Sequence, residues 1–339
     1  MNKKNINLFW LVFTGLFGIA FLTLLTTSFY GYVLERTGAG NTGEMRTYDR
    51  HYVMLVGNID SRFWNDVYQS ARETAASHDA YVELKGMSQS TEYTLADYMD
   101  MCIAAKVDGI LLEFLNEEHL EDKINEAAEK GIPVVTILND APSSSRASYV
   151  GINPYQLGQE YGLQMEGLVK DMEGPVRITV LLNDSAADSN QFQIFSQINN
   201  LMVTSPHTAQ HVKTEAVRIP STGAFESEEI VWNLLQDSSG APNVIVCLDE
   251  VDSEAVYQAV IDYNKVGDTL VSGYYKSENT LEALQKGTMA MTLYIDTAQM
   301  GIYSVKAMEE CIGDGRTNSF YSVDMAFITK ENVKDFITE

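Results

Sequence analysis

The chain is 339 residues long, with 45% hydrophobic and 21% charged residues. That composition supports a sizeable core in one large domain or two ordinary ones. Its 47 acidic residues outnumber 23 basic ones for a formal charge of −24, and a surface of that sign repels phosphate backbones and excludes nucleic acid as a partner. Cys102, Cys247 and Cys311 lie far apart, and His51, His78, His119, His207 and His211 are scattered, so neither a zinc spacing nor a disulfide framework is present and no metal or cofactor is expected.

Lys3 and Lys4 precede an uncharged run from Asn5 through Leu34, densest from Leu8 to Leu25. This length suits one transmembrane helix, and the two lysines place its short tail on the cytoplasmic side. A cleaved signal peptide is the competing reading, but Thr26-Thr27-Ser28 is a poor cleavage site and Phe29-Tyr30-Gly31-Tyr32 resembles an interfacial aromatic belt. The expected organisation is an anchor over 1–34, a Gly/Thr-rich tether over 35–50 and a folded extracytoplasmic domain over 51–339.

From Tyr52 onward, β-branched runs alternate with amphipathic helical patterns. Tyr52–Val56 reads as a buried strand, followed by a helix over about 62–78 with Phe63, Val67, Ala71 and Ala75 on one face. Tyr81–Leu84 is the next strand, then a helix turning Leu95, Met99, Cys102 and Ile103 inward. Gly109–Leu112, a helix carrying Leu120, Ile124 and Ala127, and the strand Ile132–Ile137 complete a first half. The rhythm restarts after Gly151, with strands at Ile178–Leu182, Val244–Cys247 and Thr269–Ser272. Strands joined by crossover helices form parallel sheets covered on both faces, and a chain of this length divides into two doubly wound halves. Ligands of such sheets bind beyond the carboxyl ends of the strands. That rule selects the loops 57–64, 113–116, 138–141 and 183–190, faced by 248–251 and 274–277.

Several short segments, taken in order, carry a resemblance. Asn58-Ile-Asp-Ser-Arg-Phe-Trp64 ends a first-strand loop in two aromatics, and Val107-Asp-Gly-Ile-Leu-Leu112 leads into a third-strand loop. Gly131-Ile-Pro-Val-Val-Thr136, Tyr149-Val-Gly-Ile-Asn153, Val244–Glu250, Val271-Ser-Gly273 and Ile295–Gly301 follow at matching places. From about Tyr52 to Lys330 the chain resembles the sugar-type periplasmic binding proteins, the family shared with ribose-binding proteins and lactose-repressor-like effector domains. The resemblance implies an α/β type I periplasmic-binding-protein fold: two doubly wound parallel-sheet lobes joined by a three-crossing hinge, here preceded by the transmembrane helix. Lobe one would be about 51–152 plus 296–323, and lobe two about 153–295 plus 324–339.

Carried over, the pocket residues are Ser61, Phe63, Trp64, Phe114, Asn139, Asp140, Gln191, Asp249 and Tyr275. Phe63 and Trp64 fall where aromatic faces stack on a sugar ring. Phe63 also fits the core face of its helix, whereas Trp64, its neighbour, is expected to point elsewhere. Asn139 and Gln191 replace arginines common in the family, Leu138 and Tyr275 replace aspartates, Leu248 an asparagine and Ile295 a polar group. The exchange removes charged, fork-like partners and favours a flatter, less polar or cationic ligand over an ordinary monosaccharide. Asp249 reads equally as a helix cap, the pairs Glu117–Glu118 and Glu228–Glu229 as acidic helix starts, and Trp232 as core. The expected function is capture of a small, sugar-like ligand for an ABC-type importer, with presentation to a sensor histidine kinase as the alternative. No nucleophile–base motif points to an enzyme, and no room precedes the apolar run for a DNA-binding helix pair.

Overall fold

In the computed structural model the described residues are Thr23, Thr26, 47–88, 93–183, 190–219, 224–237 and 240–337. Apart from Thr23 and Thr26 the expected anchor lies outside them, as does most of the tether. Among the described residues no helix is long and apolar enough to cross a membrane. The chain divides into two compact units, Met1–Tyr48 and Asp49–Glu339, and the second carries all the elements that follow.

The first stretch runs β1 (Arg50–Val56), α1 (Arg62–Ser77), β2 (Ala80–Gly86), α2 (Leu95–Ala105), β3 (Gly109–Glu113), α3 (Leu120–Glu129), β4 (Val134–Ile137) and β5 (Ser148–Gly151). The second runs α4 (Pro154–Val169), β6 (Val176–Asn183), α5 (Asn190–Thr204), β7 (Val212–Ile219), α6 (Ala224–Gln236), β8 (Val244–Val246), α7 (Glu250–Asp262), β9 (Leu270–Tyr274), α8 (Glu278–Lys286) and β10 (Met291–Ile295). The chain then returns through α9 (Thr297–Asp314) and β11 (Phe320–Ser322), and ends with β12 (Met325–Thr329) and a 3-10 turn over Val333–Phe336. Two six-stranded sheets result, ordered β11-β5-β4-β3-β1-β2 and β12-β10-β9-β8-β6-β7. All pairings are parallel except β10 with β12. This is the two-lobed α/β architecture expected from the alternation.

The helix faces follow the 3.6-residue period. Phe63, Val67, Ala71 and Ala75 are buried on α1, Leu95, Met99, Cys102 and Ile103 on α2, and Leu120, Ile124 and Ala127 on α3. β4 begins at Val134, two residues later than the apolar run suggests, because Pro133 has no N–H to give the ladder. Glu117 does not serve its own helix; it reaches across to accept from the Leu95 and Ala96 N–H groups, both at 3.1 Å, at the start of α2. Glu228 and Glu229 sit inside α6 rather than at its start and are exposed. Trp232 is not core: it is 44% exposed. Its helix buries Val231 and Leu235 instead, a face that leaves position 232 about 100° away. Trp232→Ala should therefore shift stability by no more than about 0.5 kcal/mol in a urea titration, the range of surface exchanges; a loss above 2 kcal/mol would contradict this placement.

Three passages join the lobes, at 151–154, 295–297 and 322–325. They are stitched together: Val323 N–H donates to Gly151 O at 2.9 Å and Asp296 N–H to Asp324 O at 3.0 Å. Gln299 clasps Asp324 through its side-chain amide at 3.1 Å and accepts the Asp324 N–H at 2.6 Å. Three tied passages permit a hinge while resisting twist. Next to them α9 lies against α1 so closely that a β-carbon on Gly301 would meet Val67 O at 2.5 Å and Ala71 N at 2.7 Å, both backbone atoms. Gly301→Ala should cost about 1–3 kcal/mol, as overpacking does, read from the shift of a chemical-denaturation midpoint.

Candidate functional site: the interlobe cleft

The carboxyl ends of β1, β3, β4, β8 and β9 face one another across the lobes, and side chains from both sides meet there. Ser61 caps α1, accepting from Trp64 N–H at 3.4 Å, and its hydroxyl donates to Glu250 at the start of α7 at 2.8 Å. The Tyr275 hydroxyl donates to Asp66 on α1. Asn190, at the start of α5, donates to Leu138 O at 3.2 Å and to Asn139 Oδ1 at 3.3 Å. Phe63 is the aromatic hinge pin of this contact: its ring is edge-on to Tyr275 at 5.4 Å and to Trp64 at 5.0 Å, with Tyr274 at 6.5 Å. One hydrophobic cluster consequently runs from Tyr52 and Val67 in lobe one through Phe63 to Leu248, Tyr274 and Tyr275 in lobe two.

In the cleft loops, Leu138 at φ 65° and Tyr275 at φ 74° hold backbone conformations that side chains rarely adopt. Such positions cost about 1–3 kcal/mol and persist only when over-determined. Leu138 is held by its N–H to Val150 O at 2.9 Å and by the Tyr149 hydroxyl on its carbonyl, also at 2.9 Å. Tyr275 N–H donates to Leu293 O at 2.8 Å. The bend aims the Tyr275 ring at lobe one. Tyr275→Phe removes only the hydroxyl that reaches Asp66, so it should weaken closure by about 1 kcal/mol, the net worth of one hydrogen bond. Small-angle scattering should show a larger radius of gyration than the parent; an unchanged profile would mean that this bond does not hold the lobes together.

Deeper in, Glu113 ends β3 and is 9% exposed. Its Oε2 accepts the Gly57 N–H at 2.7 Å. Burial pushes its pKa up to about 7, helped by the nearby Asp249 charge and opposed by the Gly57 bond. Tyr274, at the end of β9, is raised well above the usual phenol range by burial and by the charges of Glu113 and Asp249. Glu250 is raised by burial, against the Ser61 bond.

Of the residues singled out from sequence, Ser61, Phe63, Trp64 and Tyr275 come together here. Trp64 does not point away from Phe63: at 4% exposure it shares the same core cluster, because the first turn of α1 is covered on both sides. Asn139 stands at the cleft through its bond to Asn190. Asp249 does cap α7, accepting Asp252 N–H at 2.8 Å, while its charge still reaches Glu113 and Tyr274. Asp140 is tied to Arg146 of its own lobe. Gln191 braces lobe two, accepting Asn183 N–H at 2.9 Å and donating to Leu248 O at 3.4 Å. Phe114 packs, half-buried, on the other lobe-one cluster and not with the cleft aromatics. Leu248 and Ile295 are buried at 5% and 1%. Most of the loop 183–190 lies outside the described residues. Glu113, Asp66, Glu250, Tyr274 and Asn190 were not singled out. A carboxylate closing the otherwise apolar strand Gly109–Glu113 was the one available signal.

The sequence matches the model of the periplasmic binding protein domain over residues 52–316. The chain belongs to that family. Among solved structures, GanP, a glucose-galactose binding protein from Geobacillus stearothermophilus, is 25% identical with a TM-score of 0.74, covering 84% of this chain and 98% of its own. XylFII is 25% identical with a TM-score of 0.71, covering 83% and 98%. AraP, an arabinose binding protein from Geobacillus stearothermophilus, is 22% identical with a TM-score of 0.67, covering 85% and 99%, and shows the fold alone. A search of curated protein sequences gives no significant match. Membership makes this a solute-binding protein, and the coverage shows that its lobes span nearly the whole length of these relatives.

Proposed function

We propose that the protein captures a small sugar or sugar-like solute between its lobes, outside the cytoplasmic membrane, and acts by binding rather than by catalysis. The observation that carries this reading is the convergence of Phe63 and Glu113 from lobe one with Tyr274, Tyr275 and Asp249 from lobe two at the carboxyl ends of the strands. A ligand seated there touches both lobes, and only such a ligand favours closure. The likeness to GanP, a glucose-galactose binding protein, supports a sugar-like solute. The apolar run over Leu8–Leu25, with Lys3 and Lys4 before it, supports an uncleaved anchor that leaves the lobes on the outer face. An ABC-type permease is the partner of the leading reading. A sensor histidine kinase is the second, favoured by the anchor, since a tethered binding protein serves one fixed neighbour; XylFII has also been solved as a complex with LytSN.

The test is a thermal-shift series on the full chain in neutral detergent with hexoses and pentoses. A ligand at a hundred times its Kd stabilises the folded state by about 2.7 kcal/mol, a readily visible rise in Tm. Absence of any shift with every sugar would remove the sugar reading, and turnover of a bound sugar would remove the claim that it acts by binding alone. Retention of the full-length chain in carbonate-washed membranes checks the anchor; a soluble form beginning near Phe29 would overturn it.

A further inference from the structure

The floor of the cleft carries more negative charge than a neutral ligand answers. From lobe one, Glu113 has one oxygen on the Gly57 N–H at 2.7 Å, and its other oxygen has no hydrogen bond among the described residues. From lobe two, Asp249 gives one oxygen to Asp252 N–H, and its second is likewise without a hydrogen bond among them. Tyr274 ends β9, is 9% exposed and lies 6.5 Å from the Phe63 ring; its hydroxyl makes no hydrogen bond among the described residues and is within electrostatic reach of both carboxylates. No ion pair to Glu113 or Asp249 is present among the described residues. Arg146 forks onto Asp140, and Arg62 is exposed on the first turn of α1.

A buried carboxylate is costly unless paired. Accepting one Gly57 N–H does not require it, since an asparagine or glutamine carbonyl accepts the same bond without a charge. Resting on the solute-binding reading above, we infer that the cleft selects a solute bearing a protonated amine on a hydroxylated frame, an amino sugar in kind, with the ammonium group held between Glu113 and Asp249 and a hydroxyl meeting Tyr274. An ammonium has three donors and no acceptor, which matches two carboxylate oxygens and a phenol oxygen. Because the two carboxylates belong to opposite lobes, the cation draws the lobes together, whereas in its absence their like charges oppose closure. Phe63, 3% exposed, packs beside Tyr274 and Tyr275 and forms the apolar side of this cluster.

Calorimetric titration of the full chain in neutral detergent at about pH 7, where glucosamine is largely protonated and Glu113 can ionise, with glucosamine, glucose, N-acetylglucosamine and ethanolamine tests this. Glucosamine should bind roughly 10- to 100-fold tighter than glucose or the N-acetyl form, the span of a charge-assisted hydrogen bond. In Glu113→Gln that preference should fall to within about threefold, on the same scale, with cooperative melting verifying that the variant is folded. Glucose binding as tightly as glucosamine overturns the amine inference and leaves the sugar reading standing. Ethanolamine binding with no sugar bound keeps the amine and removes the sugar frame. No binding of any of the four overturns the amino-sugar inference, while the hexose and pentose series decides the sugar reading separately. A preference that persists undiminished in Glu113→Gln overturns the assignment of the ammonium to this carboxylate. The comparison of ligands on the parent decides the inference even if the variant does not fold.

Discussion

Tyr161→Ala should destabilise the protein by about 3–5 kcal/mol, the cost of removing a large ring from a closed core. Tyr161 lies on α4 with 0% exposure, edge-on to Phe327 at 4.8 Å, in the cluster that continues to the cleft. Its hydroxyl is enclosed and has no hydrogen-bond partner among the described residues, and burial raises its pKa far above that of a free phenol. The ring and the hydroxyl therefore act in opposite directions. Tyr161→Phe keeps the ring and removes the unpaired oxygen, so it should gain about 1 kcal/mol, the low end of what an unsatisfied buried group costs. Equilibrium urea denaturation of both variants distinguishes the two effects. A loss on Tyr161→Phe would show that the hydroxyl has a partner, an enclosed water being the simplest.

Glu113→Gln should stabilise the ligand-free protein at high pH and not at low pH. A carboxyl raised to about 7 from 4.5 binds its proton more tightly when folded. Its stabilising contribution is complete below the unfolded value, declines as pH rises from about 4.5 to about 7, and is gone above that. The shift of about 2.5 units corresponds to about 3 kcal/mol. The groups that face Glu113 are the Gly57 N–H, which favours the ionised form, and Asp249, which opposes it; the phenol of Tyr274 is neutral throughout. Stability of the parent minus that of the glutamine variant should therefore fall by about 3 kcal/mol between pH 4.5 and pH 8. A difference that is flat with pH would mean that the carboxyl titrates normally. The same variant is thus predicted to gain stability and lose amine selectivity, a trade expected where charge is buried for binding.

The elements most legible from sequence were those with a strong period and an uninterrupted face. Phe63, Val67, Ala71 and Ala75 declare α1, and Leu120, Ile124 and Ala127 declare α3, because one side of each helix meets a sheet. The doubly wound lobes followed from strand–helix alternation and from the segment order shared with the family. β7 was not legible: its burial alternates irregularly, since it is an edge strand with neighbours on one side only. Trp232 misled because size and apolarity do not say which side of α6 faces inward. The cleft was harder still. Loops beyond strand ends were identifiable by topology, yet the partnerships Ser61–Glu250, Tyr275–Asp66 and Glu113–Asp249 join residues far apart in sequence. Asp140 is paired by Arg146 only six residues on, whereas Asp249 has no ion pair among the described residues, and residue type alone does not tell the two apart.

The edge strands β11 and β12 are consecutive in sequence, yet one completes the sheet of lobe one and the other that of lobe two. During synthesis, therefore, neither lobe acquires its last strand until residues 320–329 have emerged. Each earlier segment waits with an uncovered sheet edge, an arrangement dominated by distant pairings that folds slowly and exposes strands to wrong partners. Because β11 and β12 emerge one directly after the other, the two sheets gain these edge strands together.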